Sequence, residues 1–182
     1  SFLTDKTAVH RVAKLLGVID EETGTIDETK KTFIVKRGRL IEMPDGMMMF
    51  APTKLVPLAT STLYSWPAKF RMALDWFIPR RVRWAEGETA QQHDETLESL
   101  VVRRLGREAL DRLAEPLAAG VNGDEPDKMS VAARYPMLLD MEQKHGSLIR
   151  GFLAQRTKVE EMRKKYPPKP GAKRRTMFSS FN

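Results

Sequence analysis

The sequence predicts a mainly α fold of the α+β class, in which helices pack beside a small β-hairpin. Apolar residues recur at helical spacing through much of residues 94–153, and a glycine or a proline stands at most breaks in that pattern. Two short runs of β-forming residues flank Arg37 and Gly38, which is typical of a hairpin. The chain has 182 residues, of which 41% are hydrophobic, enough for one domain with its own core.

The N-terminal segment is predicted to be a helix that Thr4 or Asp5 caps and that continues to about Leu16. Gly17 is predicted to end it, because glycine readily adopts the left-handed conformation that closes a helix. The polar stretch that follows, residues 20–31, is predicted to be a loop because it has no apolar periodicity.

The hairpin comes next, with strands predicted at 33–35 and 40–43 and a tight turn at 37–38. An isolated hairpin is marginally stable in water. We therefore expect it either to extend a sheet supplied from outside this chain or to pack on the helices. A turn is predicted at 44–46, since Pro, Asp and Gly favour turns.

The stretch 63–84 is rich in aromatic residues, with a helical pattern over 67–78 and a basic cluster at 79–84. Tryptophan and arginine beside an apolar face are typical of a membrane interface, although a core helix with a charged edge is the more common use of such a stripe. The candidate interface residues are Trp66, Phe70, Trp76, Phe77, Arg80 and Arg81. The polar stretch 85–93 is predicted to be a loop.

Two helices are predicted between residues 94 and 119. Asp94 is expected to accept hydrogen bonds from free backbone N–H groups at the start of the first helix, which Gly106 ends. Pro116 lies inside the apolar pattern of the second helix and predicts a kink or a restart there. The apolar positions that define the two helices are Leu97, Leu100, Val101 and Leu105, then Ala109, Leu110, Leu113 and Leu117.

Residues 120–127 are predicted to be a loop, since Gly, Asn, Asp and Pro favour turns. Ser130 is predicted to cap a short helix, and Pro136 to begin another that reaches about Lys144. Met137, Leu138 and Met141 are expected to face inward on that helix. Ser147 is predicted to begin a long helix, and residues 166–182 to form an extended linker.

Composition excludes several kinds of site. The chain has no cysteine, so it holds no disulfide, thiolate nucleophile or zinc–thiolate site. His10, His93 and His145 lie in separate segments without metal-ligand spacing. No G-x-G-x-x-G dinucleotide fingerprint is present.

The net charge of +7 is compatible with several partners. A basic surface suits nucleic acid, anionic lipid headgroups or a small polycarboxylate substrate. A solvated basic surface without a specific partner explains the charge equally well.

An ordered set of short segments spans nearly the whole chain: 33–40, 43–44, 94–96, 103–108, 113–117, 120–121, 129–130, 135–136, 142–149 and 177–181. Together they resemble the protoporphyrinogen oxidase family, flavoenzymes of haem biosynthesis within the flavin amine-oxidase superfamily. None of the segments is diagnostic alone, whereas their order is fairly specific.

This resemblance implies a full-length enzyme that oxidises protoporphyrinogen IX to protoporphyrin IX with FAD. Residues 1–182 would form one substrate-binding, membrane-associated domain inserted between the halves of an FAD-binding domain, so the FAD would be bound outside this chain. The fragment alone is expected to be inactive. The expected partners are the porphyrinogen, the membrane surface and the rest of the flavoprotein, with no nucleic acid, and the expected location is cytoplasmic, peripheral on the membrane.

The resemblance also implies which residues face the substrate. Eukaryotic members carry an arginine, thought to pair with a propionate, directly before the aromatic residue of the hairpin; here that position is Thr32, ahead of Phe33. A threonine cannot form a bidentate ion pair, so Lys30, Lys31 or Arg39 is a candidate replacement. After Gly120 and Val121 the family has an aromatic residue, where this chain has Asn122.

These two departures leave the substrate open to a decarboxylated or a more carboxylated porphyrinogen. The candidate substrate-binding residues are Thr32, Phe33, Arg39, Gly120, Val121 and Asn122, and no residue is assigned a catalytic or metal-binding role. The alternatives are the substrate domain of another flavin amine-oxidase or desaturase relative, a non-enzymatic basic module that binds anionic membrane or nucleic acid, and a structural domain that shields the flavin.

Overall fold

The structure is a computed structural model that describes residues 2–3, 7–19, 22–24, 31–165 and 178–181. The chain divides into two compact units, residues 1–31 with 162–182 and residues 32–161. The mainly helical fold with a small antiparallel hairpin is confirmed. Residues 166–177 of the predicted linker lie outside the described residues, so the single domain with its linker stays a prediction.

The first unit contains helix α1 (Thr7–Leu16) and a three-stranded antiparallel sheet. The sheet order is β1 (Phe2–Leu3), β7 (Phe178–Phe181) and β2 (Glu22–Gly24). Gly17, at φ 73°, ends α1 as predicted, whereas Thr4 and Asp5 lie outside the described residues.

The loop predicted over 20–31 is wrong at Glu22–Gly24, which form β2. In the antiparallel register, Glu22 lies opposite Phe181 and Gly24 opposite Ser179. A polar three-residue strand has no periodicity of its own, because its stability comes from a partner more than 150 residues away in sequence.

The second unit begins with the predicted hairpin, which is confirmed as β3 (Phe33–Lys36) and β4 (Arg39–Glu42). Both turn residues have positive φ, 50° at Arg37 and 72° at Gly38, as a tight hairpin turn requires. A second hairpin, β5 (Met47–Met48) and β6 (Ala51–Pro52), was not predicted. Its turn places Met49 at φ 51°, and a run of methionines contains no turn dipeptide.

Helix α2 (Leu55–Thr60) precedes α3 (Trp66–Ala73), which continues as a 3₁₀ helix over Leu74–Trp76. The hydroxyl of Ser65 accepts a hydrogen bond from the N–H of Ala68 and so caps α3. The helical prediction over 67–78 is therefore confirmed for most of its length. The predicted loop 85–93 contains a further 3₁₀ helix, Ala90–His93, which a capping box between Thr89 and Gln92 begins.

Helix α4 (Leu97–Leu105) ends at Gly106, which has φ 94°. The next helix starts as α5 (Arg107–Ala109), passes through a π-helical segment (Leu110–Ala114) and continues as α6 (Glu115–Asn122). In the π segment, the N–H of Glu115 bonds to the carbonyl of Leu110, five residues back. Because Pro116 has no N–H, the wider segment before it accommodates the proline without breaking the helix.

Helices α7 (Val131–Arg134), α8 (Pro136–His145) and α9 (Leu148–Lys165) complete the second half of the chain. The hydroxyl of Ser130 accepts from the N–H of Ala133, as predicted for a cap. Gly146, at φ 74°, ends α8.

Three predicted details differ from the structure. Gly120–Asn122 belong to α6 rather than to a loop, because the left-handed cap falls at Gly123. Thr96, not Asp94, caps α4. Met137 is exposed and Leu139 is buried in its place.

The hydrophobic core of the second unit joins α4, the π segment, α8 and the start of α9 to the two hairpins. Its fully buried side chains include Leu63, Met72, Leu97, Leu100, Leu105, Leu113, Met129, Leu138, Leu148 and Phe152. This core holds Ile34 on one face of the first hairpin and leaves the other face open.

Candidate functional site

The first group of candidate substrate residues lies on the β3–β4 hairpin. Phe33 is 50% exposed and lies on the same face as Val35 and Leu40, which are also exposed. Arg39 is exposed, but strand alternation places it on the opposite face, which it shares with Ile34, and its cross-strand partner is Lys36. Thr32 is exposed, and its carbonyl accepts a hydrogen bond from the N–H of Met43 at 2.8 Å.

The second group lies at the C-terminal end of α6. Gly120 is exposed and has open space where a Cβ would stand. The backbone of Val121 and Asn122 forms the last turn of α6, and their side chains lie outside the described residues. The two clefts that hairpin residues line, one with Ile41 and Glu42 and the other with Lys36 and Arg37, do not include Gly120.

The candidate interface residues form an exposed aromatic face on α3 and the following 3₁₀ helix. The exposed fractions are 61% for Trp66, 67% for Phe70 and 79% for Phe77. A cation covers each tryptophan ring: the Nζ of Lys69 lies 4.5 Å from the Trp66 ring centre, and the Arg150 guanidinium lies 4.7 Å from that of Trp76. We call Trp66, Phe70, Leu74, Trp76 and Phe77 the aromatic face.

The two arginines of the predicted interface are only partly available to a membrane. The backbone N–H of Arg81 donates to Glu142 at 3.0 Å, and its guanidinium lies 3.5 Å from Glu95. Arg80 is half-buried and approaches Gly146.

A buried ion network, which the sequence reading missed, ties these elements together. Arg104 is fully buried and donates to Asp75 at 3.2 Å and to Glu142 at 2.5 Å. Arg103 forms a bidentate pair with Glu142, both distances 2.8 Å, and also donates to Glu95 at 2.6 Å. The network is defined as Asp75, Glu95, Arg103, Arg104 and Glu142.

The network also caps the N-terminal end of α9 through Asp75. The second oxygen of Asp75 accepts from the hydroxyl of Ser147 at 2.6 Å and from the backbone N–H of Ile149 at 2.9 Å. It thereby satisfies a free N–H in the first turn of α9. A sequence signal for the network existed, because Arg104 stands at a core position of the α4 apolar pattern, three residues after Val101 and four after Leu100.

Ion pairing determines the direction of the pKa shifts in the network. Burial raises the pKa of Glu142, but the hydrogen bonds and charges of Arg103 and Arg104 outweigh burial, so the pKa lies below its ordinary value. Burial also acts against the charge of Arg103, while Glu142 and Glu95 raise its pKa further above the ordinary value. Fully paired carboxylates are poor general acids or bases at neutral pH, so we assign the network a structural role.

A stacked aromatic pair borders the network. The rings of Trp84 and His93 are parallel, 5.5 Å apart, and His93 lies 2.8 Å from Glu88. The backbone N–H of Ala85 and then His93 lower the pKa of Glu88. The cavity behind this pair measures about 20 Å³, which is too small for anything larger than a water molecule.

A larger opening lies between the turn of the first hairpin and the start of α5. It is an open cleft of about 450 Å³ lined by Lys36, Arg37, Ser65, Arg107, Glu108, Asp111 and Arg112. We call it the basic cleft, because four cations and two carboxylates line it.

The described residues contain no group of His, Asp and Glu that could hold a metal ion. Within the same residues, no helix has both the length and the apolar character needed to span a bilayer. Every strand pair described is antiparallel, so these residues provide no parallel β-α-β cradle for a dinucleotide.

Comparison with known proteins places the chain in a defined group. The profile of the family described as flavin containing amine oxidoreductase matches residues 1–174. The coproporphyrinogen III oxidase of Propionibacterium freudenreichii is 34% identical over 154 residues, which are 85% of this chain and 28% of that protein. The coproporphyrinogen III oxidase of Bacillus subtilis is 32% identical over 84% of this chain and covers 30% of its own length.

More distant relatives carry a related name. The mitochondrial protoporphyrinogen oxidase of Nicotiana tabacum is 26% identical over 84% of this chain. A crystal structure from Exiguobacterium sp. 255-15, provisionally described as a protoporphyrinogen oxidase, matches with a TM-score of 0.71 and 26% identity, over 100% of this chain and 35% of that one. The chain thus spans 28–35% of the length of these relatives.

Proposed function

The chain belongs to the flavin containing amine oxidoreductase family, and we propose on this premise that it is the substrate-binding domain of a porphyrinogen oxidase. The full-length protein removes six electrons and six protons from a porphyrinogen and so produces the conjugated porphyrin. A flavin held by parts of the protein outside this chain would supply the redox chemistry by accepting electron pairs. The absence of a G-x-G-x-x-G segment from the sequence supports that location.

Coproporphyrinogen III is our first candidate substrate. The observation that carries this choice is that curated relatives at 34% and 32% identity, over 85% and 84% of the chain, are named coproporphyrinogen III oxidases. Protoporphyrinogen IX, which the sequence analysis predicted, remains the second candidate. It is supported by a chloroplastic protoporphyrinogen oxidase of Spinacia oleracea that is 34% identical over 69% of the chain.

A flavin holds one electron pair at a time, so an acceptor would be needed for each of the three pairs. Three electron pairs leave each porphyrinogen, and molecular oxygen would accept them as three molecules of hydrogen peroxide. A different two-electron acceptor would give the same porphyrin. The residues of this chain therefore bind and orient the macrocycle and do not carry the redox step.

The hairpin and the end of α6 are the surfaces we propose for the macrocycle. Phe33 and its exposed apolar neighbours offer a wall for the pyrrole rings, and Arg39 or Thr32 offers donors for propionates. Gly120, Val121 and Asn122 provide the second wall, since Gly120 leaves room for a close approach.

The aromatic face is the surface we propose for peripheral membrane contact, on the cytoplasmic side. Large exposed rings beside cations suit the boundary between headgroups and acyl chains. This contact would hold the domain at the membrane surface without requiring a spanning helix.

The test is an oxidation assay with the full-length protein and both porphyrinogens, followed by porphyrin fluorescence. We expect flavin-dependent oxidation of both, with a higher kcat/KM for coproporphyrinogen III. A higher kcat/KM for protoporphyrinogen IX would reverse the order of the two substrates. If neither compound is oxidised by a protein that carries bound flavin, the porphyrinogen oxidase proposal is wrong.

A further inference from the structure

The basic cleft has more positive charge than its own residues neutralise. Its four cations, Lys36, Arg37, Arg107 and Arg112, face the carboxylates of Glu108 and Asp111, and Glu98 pairs with Arg107 from outside the cleft, which leaves a local excess of one positive charge. An excess of positive charge in a concave surface focuses the electrostatic potential and favours an anionic ligand.

The carboxylates of the cleft are already engaged. The two oxygens of Glu108 accept from the backbone N–H of Ser65 at 2.9 Å and from its hydroxyl at 2.5 Å. Asp111 accepts from the Nε of Arg107 at 2.9 Å, and Arg107 donates to Glu98 at 2.6 Å as well. These carboxylates therefore hold the walls of the cleft and do not leave it neutral.

The cations divide into structural and available groups. Lys36 donates to the carbonyls of Thr62 and Leu63 at 2.6 and 2.7 Å and so fixes the hairpin to the loop before α3. Arg37 is exposed at the tip of the turn. The Nε of Arg112 is buried without a hydrogen-bond partner, which is an unusual state for a guanidinium group.

The cleft adjoins an exposed apolar surface. Ser65 lines the cleft, and the next residue, Trp66, begins the aromatic face. A cationic cleft beside an apolar surface matches the chemistry of a phospholipid, which has an anionic phosphate above its acyl chains.

We propose that the basic cleft binds the phosphate of an anionic phospholipid headgroup while the aromatic face enters the acyl boundary beside it. This inference rests on the membrane contact proposed above and specifies its ligand. A substrate propionate fits less well. The cleft lies at the turn of the hairpin, three residues or roughly 10 Å along the strand from Phe33 at its other end.

The experiment measures binding of the full-length flavoprotein to sedimented vesicles. One set contains phosphatidylcholine alone, and the other contains phosphatidylcholine mixed with phosphatidylglycerol. We expect tighter binding to the mixed vesicles, and we expect added salt to reduce that preference. The substitution Arg37→Glu changes the charge of the cleft by two and should weaken binding to mixed vesicles roughly tenfold or more.

Two further variants separate charge from folding. Arg37→Asn removes the charge, and asparagine suits the positive φ of 50° at this turn position, so it should lower the preference without loss of the hairpin. Arg134→Glu is the matched control, because Arg134 is exposed at the end of α7, away from the cleft. It should leave vesicle binding close to that of the wild type.

The outcomes separate this inference from the proposed oxidase. Equal binding of wild type and Arg37→Glu to mixed vesicles would overturn the headgroup site, as would an equal effect of Arg134→Glu. A raised KM for coproporphyrinogen III in Arg37→Glu, with unchanged vesicle binding, would assign the cleft to the substrate instead. Porphyrinogen oxidation by detergent-solubilised wild type is a separate readout, so a failure of the oxidase proposal leaves the vesicle result interpretable.

Discussion

At the scale of single residues, the largest losses of folding stability are expected from substitutions in the buried ion network. Two arginines and three carboxylates lie between helices, where an unpaired charge is costly. The pairing is nearly complete, since Asp75, Glu95 and Glu142 each contact an arginine. The network therefore selects one arrangement of α4, α8 and α9, because any other would leave a charge buried alone.

Replacement of Arg104 by methionine should be strongly destabilising. The change leaves Asp75 without its cation inside the core, and breaking a buried pair in this way costs about 3–5 kcal/mol. The free energy of unfolding in urea measures the loss. Arg107→Met is the matched control, because the Arg107 side chain is 64% exposed although it also forms two ion pairs. A loss as large in the control as in Arg104→Met would contradict the assignment.

The network should also make stability depend on acid. Glu142 has a folded-state pKa below its ordinary value of 4.5, so its contribution is present above that pH and is lost as the pH falls through the folded pKa. Wild type should therefore exceed Glu142→Gln in stability at neutral pH, and the difference should shrink below about pH 4.5. Urea unfolding at a series of pH values gives the difference directly. A difference that stays constant down to the acid limit would refute this linkage.

The sequence predicted the apolar partners of the network better than the network itself. Arg103 and Arg104 belong to the segments that carry the resemblance, yet their partners come from three other elements. Helical spacing indicates that Arg104 faces inward but not that Asp75, 29 residues earlier, meets it there. Such pairings depend on tertiary packing, which a local pattern does not encode.

At the scale of elements, helix ends were predictable because glycine marks them physically. Gly17, Gly106 and Gly146 all have positive φ at the predicted ends. At Gly106 the surroundings add a second constraint: Arg71 donates to the carbonyls of Val102, Arg103 and Arg104 and so caps α4. A Cβ on Gly106 would stand 2.7 Å from the Cγ of Arg71.

Gly106 combines φ 94° with ψ 164°, which essentially only glycine adopts, so Gly106→Ala should destabilise the protein by about 1–3 kcal/mol from backbone strain alone. A further loss is expected if Arg71 is displaced. Gly120→Ala is the paired control, since Gly120 lies inside α6 with open space around it. It should raise stability by about 0.5–1 kcal/mol. Thermal or urea unfolding compares the two, and equal effects of the same sign would count against the role of the positive φ at Gly106.

Other elements were not predictable from local pattern. Strand β2 depends on β7 at the far end of the chain, and the β5–β6 hairpin turns at Met49 without a turn signal. The loop was predicted to begin at Gly120, but in the structure it begins three residues later, because α6 continues to Asn122 and Gly123 supplies the left-handed cap. Both Gly120 and Gly123 could have ended α6 on the basis of sequence, and the structure uses Gly123.

At the scale of the whole molecule, the fold class and the family were accessible from sequence, whereas the site was only partly so. The hairpin residues and the aromatic face are exposed, as a binding role requires. The basic cleft escaped prediction because its residues come from three segments that meet only in the folded unit.

The porphyrinogen wall can be tested in the full-length enzyme. Phe33→Ser removes the exposed ring proposed to cover the macrocycle and should raise KM for coproporphyrinogen III about tenfold, since burial of such a ring is worth roughly 1.5–3 kcal/mol. Val159→Ser is a control of similar exposure, 45% against 50%, on α9. Steady-state kinetics measures both, and the same KM in wild type and Phe33→Ser would remove Phe33 from the proposed site.

The π-helical segment at Leu110–Ala114 determines the direction in which the end of α6 points around the helix axis. Each residue of an α-helix turns the chain by about 100° about the axis, so the single extra residue in the wide turn reorients everything after it by that angle. Deletion of one residue there would restore regular winding and rotate Gly120, Val121 and Asn122 to a different azimuth. The π-helical turn thus determines the rotational orientation of the end of α6 about the helix axis, independently of how α4 and α5 are packed.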